Sequence, residues 1–270
     1  MHGEKSLKTY LINLDRATER FRFMDSQLSA IGITYERIAA VDRLTLDSSV
    51  PEFDAKGYAR MHGRSFHHGE VACYLSHIAC LRAFLNSSAD HALILEDDCL
   101  LPDNLSTLLD AAIAKSHEWD ILRLSTVNSG IRIPYRRIDQ SHSFAIALTR
   151  EKGAGGYVVN RDCAAIFIKE LLPIRVAWDI AFDIEFLMGL RSVFVEPPPI
   201  DQNTGLETQI QNIGNHIKLP ASRYLTVFPY RVYLETNRFL RRGVKLIRAL
   251  ARARERDLMV SDADFDRKIE

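Results

Sequence analysis

The segment from His91 to Cys99 reads HALILEDDC, an apolar run that delivers Glu96, Asp97 and Asp98 in succession. Carboxylates this close repel one another and resist burial, so solvent, hydrogen-bond donors or a cation must compensate them. A hard divalent ion does this with few protein ligands. Mg2+ or Mn2+ takes one or two carboxylates and leaves its other positions to water and substrate phosphates. Extended backbone puts Glu96 and Asp98 on one face and Asp97 on the other, so the three do not ligate equally. A solvated acidic loop is the alternative reading of the same run.

A second group stands near the N-terminus. Asn13-Leu14-Asp15-Arg16, with Arg20 one turn further on, places backbone amides, a carboxylate and two guanidiniums at the end of a short aliphatic run. That is a seat for a nucleotide, or else a helix cap with surface arginines. Neither GxGxxG nor GxxxxGK[ST] occurs, which excludes the dinucleotide fingerprint and the P-loop. Asp179 and Asp183 lie one turn apart at a helix start, where a carboxylate takes a proton from a hydroxyl, joins a metal or caps the helix. GAGG at Gly153 to Gly156 precedes a strand, so it permits close backbone approach of a substrate or serves as a turn. His67-His68-Gly69-Glu70 is not HExxH, no GxSxG is present, and His77 reads as a core residue or a support for a site residue.

The elements that must position these groups are legible as periodicity. Thr9 to Leu14 is a strand, and Phe21, Met24, Leu28 and Ile31 recur at helical spacing before Gly32 stops the helix. Tyr35 to Val41 is a second strand, closed by Asp42; strand, helix, strand at this length is a parallel crossover. Arg43 to His68 reads as a functional loop with a short helix, followed by a buried helix from Gly69. Further strands are expected over His91–Leu95, Trp119–Ser125, Ser143–Leu148, Gly156–Asn160 and Val193–Glu196. Helices are expected over Asp103–Lys115, Arg161–Leu172 and Trp178–Leu190. An α/β half is followed by an α+β half.

The 270 residues, 47% hydrophobic and 26% charged, have an ordinary globular composition and fit one large domain with or without a small appendage. Thirty-five basic residues balance thirty-five acidic ones, which excludes whole-chain attraction to nucleic acid as the default. The balance is local, however: Arg223 to Arg256 holds ten bases and two acids, or +8, leaving 25 bases against 33 acids, or −8, elsewhere. Leu240, Val244, Ile247 and Ala251 form an apolar stripe among arginines, suited to an anionic membrane surface or to packing on the acidic body. No apolar run approaches the roughly 20 residues that cross a bilayer, and the polar N-terminus lacks a cleavage pattern, so a cytoplasmic location is expected. Cys73, Cys80, Cys99 and Cys163 show no CxxC spacing and are expected as reduced thiols, with Cys73 and Cys80 facing one core.

Taken in order, YLINLDRATER, FRFMDSQL, YERIAAVD, GEVACYLSH, ALILEDDC, GAGGYVVNR and the Asp179 segment resemble glycosyltransferase family 25. This is the lipooligosaccharide galactosyltransferase family of bacteria, whose relatives include collagen galactosyltransferases. The resemblance spans Thr9 to Asn203. It implies a GT-A type α/β fold, a mixed, mostly parallel central sheet flanked by helices, over residues 1–215, with a basic, membrane-associating helical extension over 216–270. It implies inverting transfer of a hexose, usually galactose from UDP-galactose, to a hydroxyl of a lipooligosaccharide, lipopolysaccharide or related glycan.

By the same resemblance, Glu96-Asp97-Asp98 is the metal motif, with Asp97 and Asp98 holding Mn2+ or Mg2+ and Glu96 as ligand or support. Asn13, Leu14, Asp15, Arg16, Arg20 and Asp42 fall with Glu96 and Asp97 where the UDP-sugar is held. Asp179 is the candidate base and Asp183 the reserve. Ala177-Trp178-Asp179 stands where the family often has Pro-Val-Asp, keeping the acid but not its neighbours. Gly153 to Tyr157 would shape the acceptor side, and Arg43 to His68 would close over the donor. The expected partners are a nucleotide-sugar donor, a glycan or glycolipid acceptor and an anionic membrane surface, with no nucleic acid, and the location peripheral on the inner face of the cytoplasmic membrane. Two alternatives remain: a metal-dependent nucleotidyltransferase, which releases pyrophosphate, and a catalytically silent membrane-attached scaffold.

Overall fold

The computed structural model describes residues 5–202 and 219–266, with side chains to residue 254. Strand β1 (Leu7–Asn13) leads into helix α1 (Thr18–Ala30), which buries Arg20, Met24 and Leu28 along one face. Gly32, with φ of 69°, takes the left-handed conformation that ends the helix without a Cβ penalty. The chain returns as β2 (Tyr35–Ala39), parallel to β1 in the register Asn13 opposite Ala39. Within the long segment that follows lies α2 (Ala55–Met61), capped by Asp54, whose carboxylate accepts from the Gly57 amide at 2.8 Å.

Helix α3 (His68–Leu85) then carries the chain across to β3 (His91–Glu96), which pairs parallel to the other edge of β1. Because β3 is flanked by strands on both edges and covered on both faces, its first five residues are all buried, as an uninterrupted apolar run requires. Beyond it come α4 (Leu105–Ile113), β4 (Ile121–Arg123), β5 (Arg132–Arg137), β6 (Ser143–Ala147), β7 (Gly156–Asn160), α5 (Arg161–Glu170), α6 (Trp178–Phe182) and β8 (Ser192–Glu196). The eight strands form one sheet in the order β2-β1-β3-β7-β4-β8-β6-β5. Alternating side chains divide the core in two. Tyr10 and Ile12 pack with α3, α5 and α6, while Leu11, Leu93 and Leu95 pack with α1 and α4.

The expectation of a mostly parallel sheet is corrected. Of the seven described pairings, β1–β2, β1–β3 and β4–β8 are parallel, and β3–β7, β4–β7, β5–β6 and β6–β8 are antiparallel. Parallel neighbours need a long crossover, normally a helix, and no helix lies between β4 and β7, so those strands return antiparallel. Strand β5 escapes the sequence reading because RIPYRR carries three arginines and a proline. Such a strand is tolerated at the sheet edge, where β5 lies. The expected helix to Leu190 is shorter: α6 ends at Phe182, and a 3-10 turn covers Glu185–Met188.

Helix α7 (Tyr224–Asp266) is the basic extension; the expected boundary at residues 215 and 216 lies outside the described residues. Its inward face buries Val227, Leu234, Arg238, Arg242, Leu246 and Ala249. The predicted stripe is the other face, with Leu240, Val244, Ile247 and Ala251 all exposed. Among the described residues, no helix is long and apolar enough to cross a membrane.

Candidate active site

The C-terminal ends of β1, β2 and β3 converge on a cavity of about 730 Å³, at the sheet edge where open α/β folds bind ligands. Asn13 ends β1, Ala40 and Val41 follow β2, Glu96 ends β3 and Asp97 and Asp98 follow it in a turn; all line the cavity. Residues remote in sequence close it: Gly153, Ala154, Trp178, Asp179 and Gln202.

The three carboxylates divide at the turn that follows β3. Asp97 turns to the β1 side, where its Oδ2 accepts from Asn13 Nδ2 at 2.7 Å and its Oδ1 pairs with Arg20 Nη1 at 2.6 Å. Burial raises the Asp97 carboxyl above its usual value against the pull of Arg20 and Asn13. Glu96 Oε2 and Asp98 Oδ1 instead converge on the Gln202 side-chain amide, which donates to them at 3.1 and 3.4 Å. Arg20 Nη2 also reaches Asp98 at 3.3 Å. Burial, and then the charge of Glu96, push the Asp98 carboxyl up to about 6. Two carboxylates aimed at one point, with a surplus of negative charge around them, form an oxygen-only donor set that fits Mg2+ or Mn2+.

The expected donor seat is partly assembled. Leu14, Arg16 and Arg20 line the cavity with Asn13, although Asn13 and Arg20 hold Asp97. Asp15 and Asp42 do not line it, a correction to their expected place against the donor. Asp15 pairs with Arg37 at 2.6 Å, and Asp42 holds Arg16 at 2.7 Å. A carboxylate that steadies an arginine from behind is invisible to spacing alone. The Arg16 hydrogen bond keeps the Asp42 carboxyl below its ordinary value.

The two later acids separate completely. Asp179, in the first turn of α6, lines the cavity with a part-exposed side chain, 3.6 Å from Arg150 Nη2. Asp183, the reserve base, is fully buried and absent from the cavity wall, which corrects the expectation that it could meet an acceptor. It is held by Arg123 Nη1 at 2.7 Å, Arg238 Nη2 at 2.9 Å and Arg242 Nη2 at 3.0 Å. Arg242 also pairs with Glu185 at 2.6 Å. Burial alone would raise the Asp183 carboxyl, but Arg242, Arg123 and Arg238 outweigh it and lower it. The arginines of α7 therefore fasten that helix to the α/β body.

Of the contribution of α3, sequence reasoning named only His77, as a core residue or a support for a site residue. Glu70, Cys73, Ser76 and His77 all line the cavity, and they are the polar side chains of one stripe on an otherwise apolar helix, a signal that was present in the spacing. Glu70 accepts from Tyr58 on α2, pairs with Arg64 and meets His62 Nε2 at 3.2 Å. Burial opposes its ionisation, but the His62 and Tyr58 hydrogen bonds and the nearby cations hold its carboxyl at about 2. The segment 43–68 is thus tied to α3, with Arg43 and Arg64 on the cavity. Cys73 packs against the core that holds Cys80, as expected, and also lines the cavity, while His77 supports Glu96 at 3.1 Å. All four cysteines are free thiols, as expected. A Cβ at Gly155 or Gly156 would come within 2.4 Å of the Gln202 side chain or 2.6 Å of the Ile200 side chain, so these side chains would have to shift, and the crowding comes from the chain itself.

A cavity that sets carboxylates and guanidiniums side by side at the strand ends of an α/β sheet fits a group-transfer enzyme with a charged donor. The chain belongs to glycosyltransferase family 25: the family model described as "Glycosyltransferase family 25 (LPS biosynthesis protein)" matches residues 6–182. Procollagen galactosyltransferase 1 of Danio rerio is 25% identical over 183 residues, 62% of this chain and 30% of that protein. The lacto-N-neotetraose biosynthesis glycosyltransferase LgtE of Neisseria meningitidis serogroup B is 23% identical over 185 residues, 66% of this chain and 65% of that protein. A probable inactive glycosyltransferase 25 family member 3 of Rattus norvegicus is 29% identical over 126 residues, 43% of this chain and 22% of that protein. The match therefore spans less than a third of the zebrafish protein and about two thirds of LgtE.

Proposed function

We propose that this chain is an inverting hexosyltransferase of GT-A type that moves galactose from UDP-galactose to a hydroxyl of a lipooligosaccharide, lipopolysaccharide or related glycan. The observation that carries the reading is the meeting of Glu96, Asp98, Arg16 and Asp179 on one cavity. Glu96 and Asp98 would hold Mn2+ or Mg2+, with Asp97 fixed behind them by Asn13 and Arg20. When bound, such an ion supplies positive charge where the departing diphosphate gathers negative charge. Arg16, steadied by Asp42, and Arg43 add guanidinium charge on the same wall for the donor phosphates. Asp179 receives the proton of the acceptor hydroxyl as that oxygen attacks the anomeric carbon from the face opposite the diphosphate. Gly153 and Ala154 shape the acceptor side, and the segment 43–68 covers the donor.

The catalytic unit ends near residue 215, and α7 attaches it to the inner face of the cytoplasmic membrane. Its outward face exposes Leu225, Phe228, Phe239, Leu240 and Ile247, with Arg231, Arg241, Arg248 and Arg252 also exposed. Exposed apolar side chains beside arginines suit an anionic lipid surface. Replacing Leu240 and Ile247 together by Glu should lower co-sedimentation with anionic vesicles while leaving the buried Arg238 and Arg242 in place. Unchanged partitioning would remove the membrane reading.

The deciding experiment is a screen of UDP-sugars with and without Mn2+, reading the leaving group. UDP release from UDP-galactose in the presence of Mn2+ supports the proposal. Pyrophosphate release from UTP and a sugar 1-phosphate, with no UDP released from any UDP-sugar, would make the protein a nucleotidyltransferase, and absence of metal-dependent UDP binding would make it a silent scaffold.

A further inference from the structure

Cys73 and His77 stand one helical turn apart on the cavity face of α3, and the end of β3 brings Glu96 to them. The thiol sulfur, an imidazole nitrogen and a carboxylate oxygen lie within 4.8 Å of one another. The imidazole is held in place from several sides. Its Nδ1 is 2.9 Å from the Tyr157 hydroxyl, its ring stacks on Trp178 at 4.8 Å and 12°, and its Nε2 faces Glu96 Oε1 at 3.1 Å. A ligating histidine normally has its outer nitrogen fixed by a second partner, and Tyr157 fills that place here. Burial, and then the negative charges of Glu96, Asp179, Asp98 and Glu70, raise the Cys73 thiol well above its ordinary value.

Sulfur, nitrogen and oxygen donors in one cluster are a different chemistry from the carboxylate pair beside them. Mg2+ and Mn2+ favour oxygen ligands, whereas thiolate with imidazole selects zinc-class ions. We propose that the cavity holds a second cation site, in which Cys73, His77 and Glu96 bind one Zn2+ and leave a fourth position open to water. As the zinc–sulfur bond forms, the Cys73 proton passes to solvent. Neutral His77 gives its Nε2 lone pair and donates its Nδ1 hydrogen to the Tyr157 oxygen. Glu96 belongs to both sites, so Zn2+ draws it from the set it shares with Asp98. On the glycosyltransferase reading, on which this consequence alone rests, zinc-class ions inhibit transfer.

The test uses the full chain, reduced and stripped with chelator, titrated with Co2+ or Zn2+ alone. Wild type should bind one equivalent of Zn2+, and Co2+ should give a thiolate-to-cobalt charge-transfer band that Zn2+ abolishes. Cys73→Ala, a small truncation at the cavity wall, should lose the band, and Tyr157→Phe should weaken Zn2+ binding by about 10- to 100-fold. Asp98→Asn should keep both band and stoichiometry. No bound equivalent in wild type, a band that survives Cys73→Ala, or loss of Zn2+ in Asp98→Asn would overturn the proposal. If Zn2+ binds as stated but no UDP-sugar turns over, the transferase reading fails and the zinc site stands.

Discussion

Glu96, Asp97 and Asp98 at the end of β3, and Asp183 with Glu185 beyond α6, are clusters of the same residue types in opposite electrostatic states. Among the described residues, Arg20 spans two carboxylates at the cavity, while Arg123, Arg238 and Arg242 close on Asp183 and Glu185. Asp98 is pushed up and Asp183 is pulled down. A cluster short of positive charge next to a cavity invites a cation from outside. One saturated with guanidiniums and sealed from solvent fastens one element to another.

The largest effect should come from breaking the sealed cluster. Arg242→Met leaves Asp183 and Glu185 buried with a lost partner, a change that costs about 3–5 kcal/mol. Denaturant unfolding should show that loss, with activity falling only in proportion to the unfolded fraction; a selective loss of turnover at full stability would contradict the division. Ending the chain after Thr236 should be as damaging, because it removes both Arg238 and Arg242.

Asp98→Asn should instead abolish transfer, by about 10³-fold or roughly 4 kcal/mol, while the fold survives. Its stability should rise. A folded-state value near 6, above the usual 3.8, means that the ionised Asp98 opposes folding at neutral pH. That opposition is fully present above pH 6 and is relieved as pH falls from 6 towards 4. Comparing melting temperatures of wild type and variant in chelator should therefore show a stabilisation of up to about 3 kcal/mol at pH 7 that disappears near pH 4. Asp183 behaves in the opposite sense. Its pairing supports the fold above the usual carboxylate value and is lost only when pH drops through its lowered value.

Asp179→Asn sharpens the contrast between Asp179 and Asp183. The former should lower kcat by about 10²- to 10⁴-fold with UDP affinity and stability unchanged, measured by steady-state kinetics beside a UDP titration. Equal loss of UDP binding would place Asp179 with the donor instead. The smallest effect is expected from Asn13→Ala, which removes one donor from Asp97 and should cost about 1–3 kcal/mol of stability, read from the unfolding midpoint.

The acidic end of β3 was legible because an uninterrupted apolar run can only be a short buried element, and whatever follows it emerges at a sheet edge. The separation of Asp97 from Glu96 and Asp98 was expected from strand alternation, but the turn after β3, where both aspartates lie, produces it. Strand β5 was hidden by its arginines and proline, since an edge strand does not need the composition of a central one. Glu70 was hidden because α3 is buried on most sides, and an apolar helix obscures the single stripe that faces a cavity. Asp183 misled because a carboxylate one turn after another at a helix start looks like part of the same site.

From the residues themselves came the parallel unit of β1 and β2, the clustering of carboxylates after HALIL, the polarised charge of the C-terminal helix and the family resemblance. These rest on local periodicity and covalent order, which a chain carries before it folds. Which acids face solvent, which arginines neutralise them, and which face of α7 lies inward were decided only by packing. Burial and ion pairing depend on groups as far as 121 residues apart, as Asp54 and Arg175 are, and no spacing in the chain encodes their distance in space.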